Sequence, residues 1–166
     1  MTDAALDAQI RAAQRGDTMA MNGLLDHLAP YVARICGPIA LDYAADAAQE
    51  ALIVIFRQLR TLREPAALHG WARIIATREA IRVARRHATF MTTELLDLPA
   101  PGDIALAPDI RDVLARLTPE HRAILVLRDV EGLDEHAAAA LLSVPEGTVK
   151  SRLHRARRDF RKAWNQ

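Results

Sequence analysis

One segment constrains this chain more than any other: LLSVPEGTVKSRLHRARRDFRKAW, residues 141–164. Between Lys150 and Lys162 stand seven cations (Lys150, Arg152, Arg155, Arg157, Arg158, Arg161 and Lys162) against a single acid, Asp159. Val149, Leu153, Ala156 and Phe160 recur through the same stretch at three- and four-residue steps, so they share one stripe of an α-helix. A basic helix anchored by an apolar stripe, preceded by a short helix and a tight turn, has the form of the second helix of a helix-turn-helix. Such a helix lies in the DNA major groove. The first helix of that motif needs a small residue where the two helices approach, and Ala139 is in place. Ser143 supplies the turn and Val149 locks the second helix down. A solvated face of alternating charge would carry comparable numbers of both signs, which seven against one excludes.

Bulk composition conceals this signal. Over the whole chain 22 basic residues meet 21 acidic ones. Residues 1–88 hold 11 basic and 9 acidic side chains, residues 89–107 hold none and 3, and residues 108–166 hold 11 and 9. Cations bunch at the end of each flanking block while the middle is purely acidic. DNA responds to local fields that neutralise phosphates, so the clustering decides more than the sum.

The pattern along the chain predicts an all-α fold of two small helical domains joined by a flexible acidic linker, with the helix-turn-helix in the second. The domains are 1–88 and 108–166 and the linker is 89–107, which contains Pro99, Pro101 and Gly102. Asp17 caps a helix carrying Leu24, Leu25, Leu28, Val32 and Ile35 that stops at Gly37-Pro38. A second helix, about 43–59, buries Ala48, Leu52, Ile55, Phe56 and Leu59 and turns Asp46, Gln49, Glu50 and Arg57 outward. Residues 62–70 read as a loop, and a third helix from Trp71 to about His87 carries Arg73, Arg78, Arg82, Arg85 and Arg86 against Glu79 alone. In the second block Thr118-Pro119-Glu120 is a helix start. That helix buries Ile124, Leu125, Leu127 and Val130 and ends at Gly132, and Asp134 caps the next.

Several function classes drop out. There is no glycine-rich phosphate loop and no paired-histidine metal motif, the six histidines are scattered singly, and Cys36, the sole cysteine, reads as core filler. The chain is therefore expected to be no enzyme and to need no metal or cofactor. The N-terminus lacks the layout of a signal peptide, and the longest strongly apolar run, residues 51–56, is too short to cross a bilayer. The expectation is a cytoplasmic chain without membrane insertion.

The segment LTPEHRAILVLRDVEGLDEHAAAALLSVPEGTVKSRLHRAR, residues 117–157, resembles the C-terminal domain of bacterial sigma factors of the extracytoplasmic-function group. DAAQEALIVIF at 46–56, the loop, Trp71 and the arginine-rich helix resemble their promoter-melting domain. The resemblance implies core RNA polymerase and promoter DNA as partners. It places Asp46, Gln49 and Glu50 on the polymerase, and Arg78, Arg82, Arg85 and Arg86 on the minus-ten element. Lys150, Ser151, His154 and Arg155 would face the minus-thirty-five element, with Arg152, Arg157 and Arg158 on phosphates. Trp71 reads as core rather than a stacking platform. Ser143 stands where the family usually has glycine, and Arg78 and Arg82 where it more often has Asn and Asp. An anti-sigma partner is left open. Two alternatives remain: a stand-alone helix-turn-helix regulator on an operator, and a helical interaction protein whose basic tail meets an acidic partner.

Overall fold

A computed structural model describes residues 3–90 and 108–166, and among these it contains helices and turns but no strand. The linker reading falls largely on 91–107, outside the described residues.

The N-terminal block has four α-helices: α1 (Asp3–Gln14), α2 (Thr18–Ala40), α3 (Ala44–Gln58) and α4 (Leu68–Phe90). Asp17 caps α2 as expected, its carboxylate accepting from the Ala20 amide at 2.9 Å. Helix α1 was not foreseen. It buries Ile10 and Ala13, and Gln14 Nε2 donates to the carbonyls of Leu59 (3.0 Å) and Leu62 (2.7 Å), fastening the α3–α4 connection.

Three expectations about this block need correction. Helix α2 does not stop at Gly37-Pro38 but runs through it to Ala40 and reverses at Leu41, whose φ is +52°. The segment 62–70 is not all loop: Pro65 opens a 3-10 turn and α4 already starts at Leu68. Burial of Leu68 (1 % exposed) offsets the roughly 1 kcal/mol that Gly70 costs a helix. Phe56 is not in the core but 54 % exposed. The inward face of α3 is Ala47, Ala51 and Ile55, and it meets an alanine stripe on α4 at Ala72, Ala76 and Ala80. Phe56 lies off this face, beside the α1–α2 turn with Ala13, Asp17 and Met21.

The C-terminal block comprises α5 (Pro108–Ala115), α6 (Pro119–Leu125), α7 (Glu135–Leu142) and α8 (Glu146–Trp164). Thr118 and Asp134 cap α6 and α7 as expected, accepting from the amides of His121 (3.2 Å) and Ala137 (2.7 Å). Helix α6 continues into a π-turn at Val126–Val130. The extra residue per turn shifts the face, so Val130 is 67 % exposed instead of buried, while the side chain of Glu131 is only 6 % exposed.

The two blocks touch. Ala123 and Val126 join the apolar core of the N-terminal block, whereas Ile124, Ala138, Ala139, Val149, Leu153 and Ala156 form a second core under the helix-turn-helix. Arg122 is buried between the blocks, donating to the carbonyls of Ile39 (2.7 Å), Leu114 (3.3 Å) and Leu117 (2.7 Å). A cation set against carbonyls at the ends of α2 and α5 meets the negative poles of both helices. Burial pushes its guanidinium below the usual arginine range.

Candidate nucleic-acid and polymerase interface

The helix-turn-helix is assembled as its sequence spacing requires. Ser143, at φ +55° and ψ +46°, ends α7 in the left-handed conformation, and its amide and that of Val144 return to the carbonyls of Ala140 and Ala139. Ala139 is 6 % exposed and Val149 fully buried, so the contact between α7 and α8 rests on the residues expected to make it. His136 on α7 bonds through Nδ1 to the Glu146 carboxylate on α8 at 2.7 Å, bridging the turn. That carboxylate raises the His136 pKa above its ordinary 6.5.

On α8 the apolar stripe faces inward and the predicted readers face out. Lys150, His154 and Arg155 are exposed and Ser151 is half-buried, its hydroxyl turned back to the Thr148 carbonyl at 3.1 Å. Lys150 also reaches Glu135 of α7 at 3.3 Å. Of the predicted phosphate anchors, Arg157 is paired with Asp129 (Nε to Oδ2, 3.1 Å) and Arg158 with its neighbour Asp159 at 2.9 Å. Arg152 is half-buried and turns toward the N-terminal block.

The arginines of α4 do not form a free DNA face here. Arg78 donates to the Leu141 carbonyl (3.2 Å) and to the Ser143 hydroxyl (3.3 Å), while Arg85 is paired with Glu120 of α6. With Arg82, Arg86 and Arg152 they line a cleft of about 570 Å³ between the blocks. Two of the acids that answer them come from the predicted polymerase face. Glu50 lies between Arg86 (2.9 Å) and Arg82, and Asp46 pairs with Arg86 at 3.1 Å. These arginines hold the Glu50 carboxyl below its usual range. The sequence placed Asp46 and Glu50 on one surface and Arg82 and Arg86 on another; the fold makes them neighbours.

Gln49 is exposed beside Asp46 and Glu50. Ile53, 41 % exposed, and Phe56 extend this face of α3 at helical spacing, giving the polar patch an apolar continuation that the sequence reading missed. The signal was present: Ile53 and Phe56 continue, at three- and four-residue steps, the face that carries Asp46, Gln49 and Glu50. Also missed was Glu131, which receives Arg34 (3.0 Å), Arg73 (3.3 Å) and the Tyr31 hydroxyl (3.3 Å). Trp71 is half-buried against the core, consistent with a packing role. Among the described residues no cluster of metal-binding side chains occurs, and no helix is long and apolar enough to cross a membrane.

The family model for sigma-70 region 2 matches residues 23–90 and that for sigma-70 region 4 matches residues 108–160. The chain is 34 % identical to the ECF RNA polymerase sigma factor SigE of Mycolicibacterium smegmatis over 71 % of its own length, and spans 50 % of that relative. It is 30 % identical to the RNA polymerase sigma-H factor of Pseudomonas aeruginosa, covering 93 % of this chain and 91 % of the relative. In fold it is similar to the sigma factor RpoE of Bartonella quintana, solved with the anti-sigma factor NepR. That match has a TM-score of 0.65 at 20 % identity, over 87 % of this chain and 96 % of the other. The chain belongs to the extracytoplasmic-function group of RNA polymerase sigma factors, built from sigma-70 regions 2 and 4.

Proposed function

We propose that this chain is a transcription initiation factor that binds core RNA polymerase and directs it to particular promoters, with no catalytic step of its own. The N-terminal domain, 1–88, docks on the polymerase through Asp46, Gln49 and Glu50, with Ile53 and Phe56 continuing that face. Arg78, Arg82, Arg85 and Arg86 of the same domain engage the minus-ten element. The C-terminal domain, 108–166, reads the minus-thirty-five element with Lys150, Ser151, His154 and Arg155 and anchors on phosphates through Arg152, Arg157 and Arg158. An anti-sigma factor is a further partner in this reading, supported by the solved complex of the similar RpoE with NepR.

The observation that carries the reading is the pairing of regions 2 and 4 on two helical blocks of one chain, each with a basic helix. A stand-alone operator-binding regulator has no use for a region 2 domain. Run-off transcription with purified core polymerase tests the proposal: specific transcripts should require this chain, and their absence across genomic DNA would refute it. Gln49→Arg places a cation on the docking face without touching an observed ion pair. It should weaken core pull-down by roughly tenfold or more, through like-charge or desolvation cost at the interface. Unchanged retention of core would remove the docking assignment.

A further inference from the structure

The two surfaces assigned to polymerase and to promoter share charges. Asp46 and Glu50 lie one turn apart on α3, and Arg82 and Arg86 lie one turn apart on α4. Across the helix pair they match two against two: Asp46 with Arg86, and Glu50 with both arginines. Glu79 supplies a further contact to Arg82, accepting from Nε at 2.8 Å. His87 Nε2 lies 3.7 Å from Asp46, its ring stacked on Tyr43 at 3.6 Å. We propose that Asp46 and Glu50 are built-in counter-ions of the promoter arginines, and that polymerase, by engaging the two carboxylates, releases Arg82 and Arg86 to DNA phosphates.

This inference rests on the docking assignment above for its trigger, but its first half concerns the free chain alone. A guanidinium already paired with a carboxylate displaces fewer counterions when it meets a phosphate, so the unbound factor presents a weakened DNA face. The side chains concerned are 28–48 % exposed, so these pairs are weak and salt-screened and a competing basic surface can take the carboxylates. The depressed Glu50 pKa, caused first by Arg86 and then by Arg82, agrees with a charged Glu50 carboxylate throughout the neutral range. Arg86 would be released fully. Arg82 keeps Glu79 and would be released in part.

The test uses the full chain, a fluorescent duplex of arbitrary sequence and a series of KCl concentrations. The double substitution Asp46→Asn, Glu50→Gln should bind roughly tenfold tighter at low salt, and its log K against log salt should be steeper by about one to two units. The gain should vanish in an Arg82→Ala, Arg86→Ala background. It should also exceed that of Asp7→Asn, Asp26→Asn, which removes the same charge from exposed positions elsewhere. Native affinity and slope in the double variant, a gain that survives loss of both arginines, or an equal gain in the charge control would overturn the proposal. Core pull-down of the same proteins separates the two readings. Tighter DNA binding with core retention intact keeps the counter-ion assignment and removes the docking one. Lost core with unaltered DNA binding does the reverse.

Discussion

At Ser143 the fold asks a side chain to occupy the left-handed region, at a cost of roughly 1–2 kcal/mol for an L-residue. The Arg78–Ser143 hydrogen bond, at 3.3 Å and exposed, recovers little of it. Ser143→Gly should therefore raise unfolding free energy by about 0.5–1 kcal/mol in a urea titration, part of the relief being offset by the extra freedom of glycine in the unfolded chain. A loss of stability would mean the hydroxyl contact outweighs the strain. His136 offers a second check on the same turn. Its folded pKa is raised by Glu146, so its contribution is fully present below the unfolded value of 6.5 and fades as pH rises through the folded value. An NMR titration should place His136 above 6.5 in the native chain and lower it in Glu146→Gln, with Asp134 still acting to raise it.

Helix α8 divides by position rather than by residue type. DNA-reading helices enter the groove with their N-terminal half, so the exposed Lys150 and Arg155 are the proposed readers. Arg157 and Arg158 lie further along and already carry carboxylate partners. Lys150→Ala or Arg155→Ala should cost about 1–3 kcal/mol and relax preference at particular upstream bases. Arg157→Ala or Arg158→Ala should weaken all promoters alike and shallow the salt slope by up to about one unit, less because each arginine begins paired. Affinities of the polymerase complex for single-base promoter variants decide it: uniform losses in all four mutants would make α8 a non-specific clamp. Helix α6 teaches a related lesson. A 3.6-residue period carried past Leu125 puts Val130 inside, whereas the π-turn advances the backbone by one residue and carries Glu131 inward instead.

For the whole molecule, the junction between the blocks carries several polar contacts around its apolar part: Arg122 on the Ile39 carbonyl, Glu131 among Arg34, Arg73 and Tyr31, Arg78 on the Leu141 carbonyl, and the Arg85–Glu120 and Arg111–Asp42 pairs. The Glu131 side chain is 6 % exposed while Arg73 and Arg34 are 25 % and 55 % exposed, so its removal strands cations that water can partly reach. Glu131→Ala should lower urea stability by about 1–3 kcal/mol and increase the radius of gyration in solution scattering as the blocks separate. An unchanged radius would show that the remaining contacts, among them the apolar one through Ala123 and Val126 and the Arg122 bond to Ile39, suffice to hold them. The proposed promoter engagement by Arg78 and Arg85 would require this junction to loosen, because both contact the C-terminal block in this arrangement.

What the sequence determined by itself was local. The caps at Asp17, Thr118 and Asp134, the left-handed turns at Ser143 and Gly132, and the buried stripe of α8 each depend on residues within one or two helical turns, so spacing alone specifies them. The all-helical class and the basic recognition helix follow from the same short-range rules. Tertiary structure decided which face of α3 turns inward, because that depends on where α2 and α4 pack: Ala47, Ala51 and Ile55 are buried in the shared core and Phe56 is left exposed. It also decided that Asp46 and Glu50 stand against Arg82 and Arg86, 32 to 40 positions away in the chain. Charges so far apart in sequence carry no mutual signal in it; only the packing of one helix on another sets the distance at which they act.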